Sequence, residues 1–222
     1  MESAQITALL DPVSALVVLG GAALATVLRC GWHDCKVAAG ALRIVFQPRY
    51  TAAAGKAELA GQVRDIQADG LIGAAARPVH DAEFAHLTDA ILHARSLSGL
   101  AAMHERFKAA RVAQAETAVG VLVEAAELSP VFGMAGTLLA LNAMPANPDA
   151  TGSAIAAAIG MAVVTTLYGL LAANLLFAPL ARLIQRTAAA EEAERQEVAD
   201  WLAAQIAQAS PPVHPRTRRH AA

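Results

Sequence analysis

The chain has 222 residues, 56% of them hydrophobic and only 16% charged, with a mean hydropathy of +0.43 and a formal net charge of −2. A soluble domain of this size rarely runs so apolar, and the near-balanced charge gives no reason to expect a nucleic-acid partner. Aromatic residues make up just 4%, so the apolar content is Ala, Leu, Val and Ile, a composition that suits close helix–helix packing in lipid.

In chain order, residues 1–11 carry Glu2 and Asp11 but no basic residue. A cleaved signal peptide needs a positive N-terminal region, so the following apolar stretch is predicted to be retained. That stretch, 12–28, has no charge and forms the first span. Segment 29–117 is too polar to span and too rich in Ala, Leu and charge to be disordered. It reads as a cytoplasmic helical domain broken at Asp69-Gly70, Arg77-Pro78 and Ser98-Gly99, its last helix running from about Leu100 into a second span at 118–144. A periplasmic turn at 145–152, a third span at 153–180, a cytoplasmic C-terminal helix at 181–208 and a disordered tail at 209–222 complete the reading.

Charge placement orients the spans. Residues 1–11 and 145–152 contain no Lys or Arg, whereas 29–117 holds eleven and 182–222 holds the other six. The positive-inside rule therefore predicts N-out, C-in. The fold class expected is an all-α integral membrane protein with three transmembrane helices and a helical cytoplasmic domain.

An intramembrane carboxylate is the usual proton carrier, yet spans one and three have none and span two offers only Glu124 and Glu127 near its cytoplasmic end. Spans two and three instead carry hydroxyls and amides: Ser129, Thr137 and Asn142, then Thr165, Thr166, Tyr168 and Asn174. Each Ser or Thr taken singly reads as bonding its own helix carbonyl. Together with Gly133, Gly136, Gly160 and Gly169, which allow close approach, they also describe a polar seam between helices. If protons move there, the carboxylate must come from another chain. Pro130 and Pro179 read either as ordinary kinks or as hinges.

Two strings, AELSPVFGMAGTLLAL and GMAVVTTLYGLLAANLLFAPLARLI, resemble the paired helices of the MotA/TolQ/ExbB proton-channel family, most closely its MotA-like stator subunits. DPVSALVVLGGAALATVLR and QADGLIGAA are similar to further MotA segments. The resemblance implies a homopentamer in a bacterial inner membrane around two copies of a single-span partner of the MotB/TolR/ExbD type. That partner's aspartate would carry the proton, with no cofactor. It also implies pore-lining roles for Thr137 and Thr166 and matches the family prolines to Pro130 and Pro179. Glu105 and Arg106 are candidates for torque transfer by location alone.

Three departures accompany the likeness. A MotA has four spans where this chain has three, Met161 stands where ExbB carries a glutamate, and the cytoplasmic domain is short. Two other readings stay open: a TolQ/ExbB-like energiser of envelope processes, and a membrane scaffold that conducts nothing. Cys30, His33 and Cys35 have too few ligands and the wrong spacing for a metal site, while His80, His86 and His93 match no metal motif. The acidic run Glu191–Asp200 reads as a solvated helix face or, in an oligomer, as one packed around a central axis. No phosphate loop or catalytic dyad is present, so no enzymatic activity is expected.

Overall fold

The structure, a computed structural model, describes residues 11–74, 77–94, 99–143 and 152–209. The segment before Asp11, nearly all of the predicted periplasmic turn, Ser98 and the tail after Ala209 lie outside the described residues. Among the described residues every regular element is helical. Three helices are long and apolar enough to cross a membrane: Pro12–Cys30, Leu100–Asn142 and Gly152–Gln208. The chain divides into two compact units, one built from Met1–Gln47 and Ala113–Ala188, the other from Pro48–Val112 and Ala189–Ala222.

In the first unit, α1 (Pro12–Cys30) starts at an N-cap. Asp11 accepts hydrogen bonds from the Val13 and Ser14 amides at 3.1 and 3.2 Å and from the Ser14 hydroxyl at 2.5 Å. The cap satisfies amides that lipid cannot. One wide π turn, Leu16–Gly20, interrupts α1. The helix stops at Gly31, whose φ of 86° lies in the region glycine enters without Cβ strain. Beyond it, α2 (Trp32–Val45) contributes Ala38 to a cluster with Ala118, Val121, Leu122, Ala181 and Ile184. Near the same end, Arg29 pairs with Glu124 at 3.0 Å.

In the second unit, α3 (Ala52–Gly73) is capped by Thr51 and kinked at Gly70 (φ 69°), and α4 (Ala82–Ala94) follows. Gly99 (φ 100°) precedes α5 (Leu100–Asn142), a single helix of 43 residues with Pro130 inside it. The last helix, α6, runs through Gly152–Leu171, a π segment at Ala172–Phe177 and Ala178–Ala209. Helix α5 supplies residues to both units, up to Val112 in the second and from Ala113 in the first; α6 changes unit after Ala188. The second unit's core is Leu59, Val63, Ile66, Phe84, Leu87, Ile91, Val198, Leu202 and Ile206, all almost fully buried. At about 25 cal/mol per Å² of buried apolar surface, each large side chain here contributes roughly 1.5–3 kcal/mol before entropy is counted.

Candidate ion pathway

The membrane portions of α5 and α6 meet through glycines. A Cβ on Gly169 would fall 2.6 Å from the Ser129 carbonyl oxygen, and one on Gly133 would fall 3.1 Å from the Thr165 carbonyl oxygen. A Cβ on Gly136 would stand 2.8 Å from Cβ of Thr165. Contacts this short need residues without side chains on one partner. Gly160 is not part of this contact; nothing lies within 4 Å of its Cβ position. Helix α1 joins the same unit at Gly21, where an added Cβ would overlap the Phe132 ring of α5.

Beside this contact runs a groove of about 470 Å³, lined by Thr137 and Leu141 of α5 and by Ile159, Ala162, Val163, Thr166, Leu167 and Leu170 of α6. Among the described residues that line it, Thr137 and Thr166 are the ones that carry hydroxyls. Both donate to their own helices, Thr137 to the Met134 carbonyl at 2.6 Å and Thr166 to the Ala162 carbonyl at 3.2 Å. A hydroxyl has one proton and two lone pairs. With the proton spent on the backbone, each threonine offers acceptor lone pairs for a donor entering the groove. The two sequence readings of these residues are therefore compatible: each bonds its own carbonyl, and the two share one groove.

The other predicted polar residues lie elsewhere. Thr165 is buried in the glycine contact, with its hydroxyl on the Ala162 carbonyl at 2.9 Å, and it lines a smaller cavity of about 120 Å³ with Val13, Ser14 and Gly136. Asn174 is exposed and donates to the Leu170 carbonyl at 3.0 Å, and Tyr168 is half-buried; neither lines the larger groove. Pro179 lies one residue past the π segment, after Ala178. A proline has no amide hydrogen for the ladder, and the wider turn absorbs that mismatch, with the Ala178 amide reaching back to the Ala173 carbonyl. Glu105 and Arg106 are exposed on α5, and Glu105 sits 3.6 Å from Lys108.

Sequence reasoning missed a buried charge cluster in the second unit. Glu83, almost fully buried, faces His104 at 2.7 Å, the Arg111 guanidinium, and Arg195 at 3.1 Å. Arg111 also pairs with Glu192 at 2.9 Å, and Arg195 with Asp81 at 2.8 Å and Glu191 at 2.9 Å. Burial works against the charge of Arg195, but the carboxylates of Glu191 and Asp81 more than offset it and hold its pKa above the usual value. Glu192 and Arg195 are thus not on a solvated face: their side chains are only 15% and 13% exposed. The spacing of Glu192, Arg195 and Gln196 along one helix stripe, above Val198 and Leu202, was the available signal.

A chain whose described elements are all helical, with three span-length apolar helices, two of them packed through glycines beside a threonine-bearing groove, is a helical membrane protein. The chain belongs to the MotA/TolQ/ExbB proton channel family, whose family model matches residues 84–197, just over half of it. It is 46% identical over 55 residues to Motility protein A of Borreliella burgdorferi, a stretch covering 25% of this chain and 21% of that protein. It is 35% identical over 85 residues to Chemotaxis protein PomA of Vibrio alginolyticus, covering 38% and 33%. It is 38% identical over 76 residues to Motility protein A of Cereibacter sphaeroides, covering 34% and 30%. The aligned stretches thus span a fifth to a third of these relatives' lengths. In three dimensions the chain superposes on a chain of the C. jejuni MotAB structure with a TM-score of 0.79 at 18% identity, covering 91% of this chain and 80% of that one. The flagellar MotAB stator complex of Bacillus subtilis gives 0.77 at 19% identity, covering 90% and 79%. At these identities the likeness shows a shared fold.

Proposed function

We propose that this chain is the MotA-like stator subunit of a proton-driven flagellar motor in the bacterial inner membrane. Five copies would surround two copies of a single-span, aspartate-bearing partner of the MotB type, with N-out, C-in topology. The observation that carries this reading is the groove joining Thr137 and Thr166, which offers acceptor oxygens and no carboxylate. A protonated aspartic acid on the partner is the donor such a lining suits, because a neutral carboxyl group donates one hydrogen bond to a threonine oxygen. Once the acid ionises, an apolar groove with two acceptors holds it poorly. Proton arrival and departure would then change which position along the groove the partner prefers, and the pentamer turns in response.

The close glycine contact keeps α5 and α6 together as one wall of the pathway. Pro130 and the Pro179 π segment are the positions where that wall would flex. Glu105 and Arg106, exposed on the cytoplasmic part of α5, are the proposed torque-transfer residues. A second reading, a TolQ/ExbB-like energiser, is supported by membership of the shared family. The motility relatives favour the first.

The deciding experiment is purification together with the neighbouring gene product, followed by subunit counting. Five copies with two of a single-span, aspartate-bearing, peptidoglycan-binding partner support the stator. A transporter-contacting partner moves the assignment to the energiser branch, and an oligomer with no such partner overturns the channel reading.

A further inference from the structure

His104 is almost fully buried on α5, and both ring nitrogens face oxygen. Nδ1 lies 2.7 Å from a carboxylate oxygen of Glu83 on α4. Nε2 lies 3.1 Å from the side-chain oxygen of Gln196 and 4.0 Å from a carboxylate oxygen of Glu192, both on α6. The orientation of the Gln196 amide is set by its other end, whose nitrogen donates to Asp200 at 3.0 Å. Turning the amide over would place two oxygens together at Asp200.

A neutral imidazole has one N–H and one bare lone pair. Whichever nitrogen lost its proton here, that lone pair would face an oxygen, and a buried polar conflict of this kind is costly. The surrounding charges act the same way. Asp81 and Glu83 come from the start of α4, and Glu191 and Glu192 from α6, against the guanidiniums of Arg111 and Arg195. Four carboxylates thus meet two permanent cations, and on α5 itself Glu105 and Lys108 are already paired.

We infer that His104 is a proton-binding site of the second unit, holding a proton as imidazolium between Glu83 and Gln196, and that its loss loosens the start of α4 from α5 and α6. The bundle is then tightest when the solution bathing it is mildly acidic and slackens as pH rises. The inference stands on this cluster alone and does not depend on which ion, if any, the chain conducts.

The test follows melting of the full-length chain in detergent from about pH 6 to about pH 9, a range that brackets the ordinary histidine pKa. Only two tryptophans are present, and a Trp32→Phe background leaves Trp201, packed on the second unit's core, as the fluorescent reporter. The melting midpoint is expected to fall across this range by roughly 3 °C or more, and His104→Gln to flatten the profile. If His104→Gln does not fold, Glu83→Gln decides. Removing that carboxylate takes away the partner of Nδ1 and should shrink the fall in melting midpoint across the range. Identical pH profiles for wild type and His104→Gln, or an undiminished fall in Glu83→Gln, would overturn the inference.

Discussion

Gly169 of α6 rests against the backbone of Ser129 in α5, with room for a hydrogen atom and nothing larger. The atoms that a Cβ would strike are the Ser129 carbonyl oxygen at 2.6 Å and the Cα atoms of Gly133 and Pro130 at 3.1 Å. Backbone does not rotate away as a flexible side chain does. Gly169→Ala is therefore expected to push the helices apart and cost about 1–3 kcal/mol. Gly160→Ala has open space and gains helix propensity, so it should be neutral or slightly stabilising. Thermal melting of both purified variants checks this, and equal behaviour would show that the contact does not constrain the helices.

Thr137→Val and Thr166→Val remove a hydroxyl while keeping size and branching. Both hydroxyls bond their own helix, and valine leaves that helix intact. Folding, membrane insertion and co-purification with the partner should therefore match wild type. Ion-driven activity should fall at least tenfold for either, whereas Thr165→Val, buried away from the groove, should lose packing rather than conduction. Proton flux into vesicles carrying the purified complex separates these outcomes; undiminished flux in both groove variants would remove the threonines from the pathway and favour a scaffold.

Gly21 and Phe132 make a comparable pair between α1 and α5. An added Cβ at Gly21 would overlap the Phe132 ring. Here the obstacle is a side chain, so the damage is reparable. Gly21→Ala should destabilise, and combining it with Phe132→Leu should recover part of the loss, giving a coupling of about 0.5–3 kcal/mol in a double-mutant cycle. Additive effects would place the ring elsewhere.

The membrane helices were legible because lipid allows few solutions: long uncharged runs must be helices. Thr137, Thr166 and the glycines were legible as residues, but their sorting was not. Thr165 and Thr166 are sequence neighbours, yet a rotation of about 100° around the helix puts one in the packed contact and the other in the groove. Gly160 looked like its fellows for the same reason, since small size shows in sequence and a facing helix does not. The buried cluster around Glu83 escaped because its members lie on three helices. Read along one helix, Glu191 to Asp200 looks solvated, and Glu197 and Asp200 are exposed; the arrival of Arg111 and Asp81 from elsewhere covers Glu192 and Arg195. The π segment before Pro179 leaves no sequence mark beyond the proline itself.

Tyr50 gives the second unit a reporter at high pH. Its ring lies 6.3 Å from Phe84 and under the Arg195 guanidinium at 4.4 Å, and its hydroxyl is buried without a hydrogen-bond partner. Gly55 makes room for that hydroxyl, since a Cβ there would overlap it. Burial first, and the Asp81 carboxylate next, push the phenol up to about 12 against the opposing pull of Arg195. A folded-state value above the unfolded value of about 10 favours the folded chain at all lower pH, and that contribution is lost as pH climbs from about 10 through 12. The chain has two tyrosines, so a Tyr168→Phe background isolates Tyr50 for absorbance titration of the phenolate. Ionisation should come well above the ordinary tyrosine range. Tyr50→Phe should match or exceed wild-type stability at neutral pH, because it removes an unpaired buried hydroxyl, and should lose less between pH 10 and 12. Ionisation near 10 would mean the phenol is solvated and the packing of Tyr50 on Phe84 and Arg195 is wrong.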